Sequence, residues 1–212
     1  MSNPNQYGDP DCYNGTNWYV GAFDNGGVHI NSGVQNFWYY LMVNGGSGTN
    51  DIGNAYNVTG IGYDDAASIA FRNLTVYLGQ SSDYEDSRFY SILSALDLYG
   101  ACSNEVETTT NAWYAVGLGN TYVPYVNSDF VASKTEYCTT PAQVQFQNLS
   151  SNATSFFWDF GDGATSTTFN PLHTYTDTGY FEVKLVVDGG SCGQDSVTLT
   201  DYIYVSPSLP CD

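Results

Sequence analysis

The sequence predicts an α + β chain of two domains, a mainly helical subdomain followed by a β-sandwich. Three observations carry this. To about residue 118, apolar residues recur at three- and four-residue steps between polar turns. From about residue 131 they recur at every second position, between turns rich in Gly, Asp and Asn. The 212 residues also suffice for two modest cores. The expected segmentation is a helical subdomain over 1–119, a linker over 120–130, a sandwich over 131–206 and a tail over 207–212.

In the helical part, Val34, Phe37, Trp38, Leu41 and Met42 lie on one face of a helix that begins near His29 and stops at "NGG", 44–46. The stretch "SGTNDIGNAYNVTGIG" reads as a loop. A second helix spans about Asp64 to Leu78, with Ile69, Leu74 and Leu78 inward. A third spans about Asp83 to Tyr99, with Phe89, Ile92, Leu93 and Leu96 inward and Gly100 as C-cap. A fourth starts after Ser103, an N-cap residue with Glu105 and Glu107 in the first turn, and ends at Gly117. Beyond it, Phe156, Trp158 and Phe160 alternate inward, as do Phe181, Val183, Leu185 and Val187, and then Val197 and Leu199.

Composition excludes some partners. Only Arg72, Arg88, Lys134 and Lys184 oppose 22 acidic residues, for a formal charge of −18. Four cations cannot neutralise a phosphate backbone, so nucleic acid is not expected, and an anionic membrane surface fails for the same reason. No stretch approaches the roughly 20 apolar residues of a membrane span. Five cysteines lie far apart and never form C-x-x-C, which favours disulfides over a structural zinc and implies an oxidising, extracellular or cell-surface location. "SNPNQYGDPD" after Met1 has neither part of a signal peptide, so an exported product is expected to extend upstream.

The stretches "YGDPDCY", "DNGGVHINSGVQNFWYYLMVNGG", "VTGIG" and "ALDLYGACSNEV…NAWYAVG" resemble the C-terminal helical half of a thermolysin-family zinc metallopeptidase catalytic domain, over residues 1 to about 119. "WDFGDG" (158–163) and "NPLHTYTDTGYFEVKLVV" are similar to a PKD domain, an immunoglobulin-like sandwich, which makes His173 a structural residue. In the family, an H-E-x-x-H helix and a later glutamate hold zinc. This sequence has no H-E-x-x-H, so zinc is implied for the intact family with no site in this chain. Carried over are His29 and Asp24. By the resemblance, His29 donates a hydrogen bond to the oxyanion of a tetrahedral intermediate, and Asp24 fixes its ring and favours its protonated form. Such a donor is worth roughly 3 kcal/mol in a preorganised site, but it assists a metal-bound nucleophile and does not replace one. Without the resemblance, the pair reads as a capped turn.

Asp159 and Asp162 can be calcium ligands, or part of a tight turn in which Gly161 and Gly163 take positive φ; the turn is favoured. Asp9 and Asp11 are a similarly weak calcium pair. Cys138 with Cys192 is the first expected disulfide and Cys12 with Cys102 the second, leaving Cys211 unpaired or intermolecular. N-x-S/T sequons stand at Asn14, Asn57, Asn73, Asn148 and Asn152.

The expected partners are the missing N-terminal protease lobe or copies of this chain. Phe37, Trp38, Tyr39 and Tyr40, with Trp18, Val20 and Phe23, are the expected exposed interface. The function expected is the C-terminal portion of a secreted metallopeptidase with a PKD module, without activity from this chain alone. The alternative is a non-catalytic, self-assembling extracellular structural or adhesive protein.

Overall fold

A computed structural model describes residues 2–206. The chain divides into two compact units, Met1–Val123 and Pro124–Asp212. The predicted tail over 207–212 and Cys211 lie outside the described residues.

The helical unit holds α1 (Asp24–Asn31), α2 (Gly33–Asn44), α3 (Tyr63–Arg72), α4 (Tyr84–Tyr99) and α5 (Asn104–Ala115). The predicted helix from His29 is therefore two, parted at Ser32. Its apolar face is as expected: Val34, Phe37, Trp38, Leu41 and Met42 are all buried. Around them pack Ile69, Val106 and Trp113, whose indole stacks on that of Trp38 with centroids 4.7 Å apart. Ser103 caps α5 by accepting from the Val106 N–H, and Gly100 closes α4 at φ 81°.

Three local readings are corrected. The "loop" after α2 contains an antiparallel hairpin of β1 (Gly46–Thr49) and β2 (Ala55–Val58). Its turn residue Asn50 donates to the Tyr114 and Ala115 carbonyls, both at 3.2 Å, so a polar side chain caps the end of α5. The second predicted helix ends at Arg72 and passes into a π-turn over Asn73–Tyr77. That extra residue rotates the face, so Leu74 is exposed and Asn73 is buried. On α4, Phe89 is 61% exposed and Leu96 is also exposed, while Ser87, Ser91, Ser94 and Ala95 are buried. α4 packs on α5, whose Trp113 is fully buried, and small side chains make room for that ring. Ser91 then accepts the Trp113 indole N–H at 2.7 Å.

The sandwich unit pairs a five-stranded sheet, ordered β4-β10-β9-β6-β7, with a three-stranded sheet, β3-β5-β8. These strands are β3 (Phe130–Ala132), β4 (Glu136–Tyr137), β5 (Ala142–Asn148), β6 (Ser155–Asp159), β7 (Thr165–Ser166), β8 (Leu172–Tyr175), β9 (Gly179–Asp188) and β10 (Gln194–Val205). The alternation read from the sequence fills the core: Trp158, Phe160, Phe181, Val183, Leu185 and Val187 are buried against Val144 and Phe146. β4 runs parallel to the end of β10, and all other pairings are antiparallel.

The "DFGDG" turn needs its glycines. Gly161 has φ 79°, and a Cβ there would stand 2.3 Å from the Glu182 carbonyl oxygen. Gly161→Ala is therefore expected to destabilise the sandwich by roughly 2 kcal/mol or more, through strain at positive φ plus a backbone clash. Urea denaturation followed by the NMR signal of the Trp158 indole N–H, which donates to the Thr168 carbonyl, checks this; an unchanged midpoint would contradict the packing described.

Candidate functional site

Asp24 and His29 meet because the chain makes a left-handed turn between them. Asp24, Asn25, Gly26 and Gly27 take φ of 57°, 51°, 87° and 83° in succession. Gly, Asn and Asp are the residues that enter this region at lowest cost. The Phe23 carbonyl accepts from the Gly26 and Gly27 N–H groups at 3.1 and 3.0 Å. The turn folds the Asp24 carboxylate back over the helix start. There Oδ2 accepts the His29 backbone N–H at 2.8 Å, and Oδ1 lies 2.5 Å from His29 Nδ1. A carboxylate acceptor places the ring proton on Nδ1, which leaves Nε2 pointing away from the pair.

Exposure divides the two roles. The His29 side chain is 87% exposed and that of Asp24 only 15%. The hydrogen bond to Asp24, then the carboxylate's charge, raise the His29 pKa above its ordinary value. The same ring contact, reinforced by the His29 backbone N–H, holds Asp24 below the usual carboxylate range. The arrangement presents a ring, held in one orientation and biased towards protonation, at the protein surface. It can donate a hydrogen bond to an anionic oxygen.

A cleft of about 400 Å³ lies behind the turn, lined among others by Tyr13, Trp18, Val28, Asn31, Asp83 and Tyr84. Trp18 is half-buried there, its ring edge-on to Tyr13 at 4.8 Å. Of the expected interface, Val20 and Phe23 are largely exposed, whereas Phe37 and Trp38 belong to the core and Tyr39 and Tyr40 are half-buried against it. The helix at Phe37 carries its largest rings inward because Trp113 completes the stack. A second exposed apolar group, Phe71, Leu74, Val76 and Phe89, was not read from the sequence.

The residues present do not fit zinc. His29 offers one nitrogen, Asp24 is committed to it, and His173 lies in the sandwich unit. Among the described residues, no three His, Cys, Asp or Glu side chains group to hold a metal ion. Asp159 and Asp162 instead build the turn. Asp159 accepts the Gly161 N–H, and Asp162 accepts the Ala164 N–H through one oxygen and contacts His173 Nε2 at 2.7 Å through the other. His173 also stacks on Phe160 at 4.1 Å, a structural placement. Asp9 and Asp11 likewise gain no ligating group; burial, then the charge of Asp51, raises the Asp11 pKa.

The cysteine pairings are corrected. Cys12 is a free, fully buried thiol, so it does not bridge to Cys102, which is disulfide-bonded. Cys138 and Cys192 are also disulfide-bonded, and their places along β9 argue against a bridge between them. Cys138 follows β4, beside the Gly179 end of β9, and Cys192 sits beyond its Asp188 end. A ten-residue strand spans about 30 Å, far beyond the roughly 6 Å between the Cα atoms of a disulfide. Among the sequons, Asn14 and Asn57 are exposed. Asn73 and Asn148 are buried and cannot accept a glycan as folded, since each faces its own core. Asn152 is half-buried, its amide donating to the Tyr125 carbonyl at 3.2 Å.

Sequence reasoning missed the residues that hold the turn: Tyr19, Asn31 and Tyr84. Nothing in their spacing marks them, because their contacts join segments up to 53 positions apart.

The structure is a helical unit that presents an Asp-oriented histidine, followed by a small β-sandwich. Residues 1–118 match the family model described as the thermolysin metallopeptidase alpha-helical domain, and residues 123–205 match the PKD domain model. The chain belongs to the thermolysin metallopeptidase family, through this alpha-helical domain. Bacillolysin of Bacillus cereus is 43% identical over 118 residues, which are 56% of this chain and 20% of that protein. Thermolysin of Alicyclobacillus acidocaldarius subsp. acidocaldarius is 42% identical over 118 residues, again 56% and 20%. The chain thus spans about a fifth of the length of these relatives. The PKD1 domain of the Vibrio cholerae metalloprotease PrtV is 30% identical, covering 39% of this chain and 98% of that one, with a TM-score of 0.33.

Proposed function

We propose that this chain forms one wall of the substrate cleft of a secreted, thermolysin-like metallopeptidase, with the PKD sandwich as a spacing or adhesive module. The observation that carries this is the Asp24–His29 pair: a ring fixed at Nδ1 and exposed at Nε2, on a framework of the family's helical domain. In this role His29 donates a hydrogen bond to the oxyanion that forms when a peptide carbonyl is attacked, and Asp24 keeps the ring oriented and protonated. Among the described residues no group of side chains can hold zinc, so the chain acts with a metal-bearing lobe, and the exposed Val20, Phe23 and Val28 are apolar surface suited to that lobe.

Complementation tests the proposal. This chain is mixed with zinc and the metal-bearing remainder of the Bacillus cereus bacillolysin catalytic domain, and hydrolysis of a peptide substrate is followed. Hydrolysis is expected from the mixture and from neither part alone. If that lobe is activated by its own C-terminal half but not by this chain, the proposal fails.

The exposed Phe71, Leu74, Val76 and Phe89 favour a second reading, in which copies of the chain assemble and the work is structural. Sedimentation of the isolated chain decides it: a concentration-independent monomer excludes assembly.

A further inference from the structure

We infer that Asn31 and Tyr84 are positioning residues for His29, acting through the left-handed turn that carries Asp24. The inference deepens the proposed function and rests on it for its catalytic meaning, though its test does not require hydrolysis. Asp24 and Asn25 hold positive φ without being glycine, and such residues persist where their surroundings over-determine them. The Phe23 carbonyl accepts two of the turn's backbone N–H groups, and the Asp24 carboxylate accepts the His29 N–H. Further constraint comes from outside the turn, and it converges on Asn31.

Asn31 is 7% exposed, and its carboxamide is saturated in a directional way. Oδ1 accepts the Tyr19 N–H at 2.9 Å, while Nδ2 donates to the Tyr19 carbonyl at 3.0 Å and reaches the Gly26 carbonyl, inside the turn, at 3.5 Å. One side chain thus joins the turn to the segment before it. Tyr19, held at its backbone, supports the turn twice. Its hydroxyl accepts the Phe23 N–H at 3.2 Å, immediately before the turn. Its ring covers Gly27 so closely that a Cβ there would stand 2.7 Å from Tyr19 Cδ1. Tyr84, at the start of α4, donates its hydroxyl to the Asn31 carbonyl at 2.8 Å and ties the assembly to the helical core. Burial pushes the Tyr84 phenol up to about 12, so it remains a donor across the working pH range. None of the three side chains touches the His29 ring; their effect on it passes through Asp24.

The experiment is an NMR titration of the histidine rings in the full chain, which has only His29 and His173. Asp24→Asn sets the scale by removing the carboxylate. Asn31→Ala and Tyr84→Phe are each expected to lower the His29 pKa by about half a pH unit and to mix its tautomers, because the carboxylate is no longer held against Nδ1. His173, bonded to Asp162 in the sandwich unit, is told apart from His29 by its loss in a His173→Gln control. An unchanged His29 pKa and tautomer in both folded variants would overturn the inference. Unfolding of the helical unit by both substitutions would overturn it too, since the residues would then be structural. Tyr84→Phe removes one hydroxyl only, which keeps the question open to an answer if Asn31→Ala fails to fold. A negative result here leaves the complementation result standing, and the converse also holds.

Discussion

Trp113→Ala is expected to lower the melting temperature of the helical unit by roughly 15 °C or more while leaving the sandwich transition in place. Trp113 is fully buried, and truncating a core tryptophan costs about 3–5 kcal/mol in transfer and cavity terms. That is a large share of the total stability of a small unit, about 5–15 kcal/mol, and each kcal/mol moves its melting by about 4–8 °C. Two specific losses add to the cavity. Trp38 loses the ring stacked on it at 4.7 Å, and the Ser91 hydroxyl loses the indole donor. The sandwich has its own core around Trp158, so its melting should not follow. The check is a thermal scan in which helical circular dichroism reports the first unit and the resolved NMR signal of the Trp158 indole N–H, which donates to the Thr168 carbonyl, reports the second. Coincident loss of both signals would show that the units do not melt independently. Trp113→Phe, which keeps a ring but not the N–H, should fall between the variant and the parent.

The elements with strong periodicity were legible from the sequence, and the reason is burial. Val183, Leu185 and Val187 alternate because one face of β9 meets the other sheet, and Val34, Phe37, Trp38 and Leu41 recur because one face of α2 meets the core. Where a core is set by volume complementarity, periodicity misleads. α4 turns serines inward where it packs on α5 and its Trp113, and no scan for apolar positions finds such a face. The Asp24–His29 contact was legible because it is local: five residues, two glycines and a carboxylate leave few geometries. Its support was not, since Asn31, Tyr19 and Tyr84 meet only after the chain has folded. The cysteines failed for the same reason, as spacing does not say which ends of a strand they occupy.

His29→Ala is expected to cost the complemented enzyme about 10²–10³-fold in kcat, the usual loss when one oxyanion donor is removed. The parent chain and the variant should bind the metal-bearing lobe alike, because the ring is 87% exposed and holds up no core. A loss below about tenfold would mean that the ring does not touch the developing charge. The pH profile gives a sharper reading of the pair. His29 acts as a donor when protonated, and its pKa is raised by Asp24. Activity should therefore hold below that raised pKa and fall as pH rises through it. Asp24→Asn removes the acceptor that raises it, so the alkaline limb should move to lower pH, towards the ordinary histidine value of about 6.5. The same linkage sets the pair's effect on folding. The raised His29 pKa contributes stability that is complete below the unfolded histidine's pKa and lost as pH rises through the folded value. The depressed Asp24 pKa contributes stability that is present above the unfolded carboxylate's pKa and lost as pH falls through the folded value. The pair is therefore intact between the depressed Asp24 pKa and the raised His29 pKa. Exposure keeps that contribution small, so Asp24→Asn should barely change the melting temperature while it shifts the alkaline limb. An alkaline limb that stays in place in Asp24→Asn would assign it to another group and remove His29 from the proton balance of the reaction.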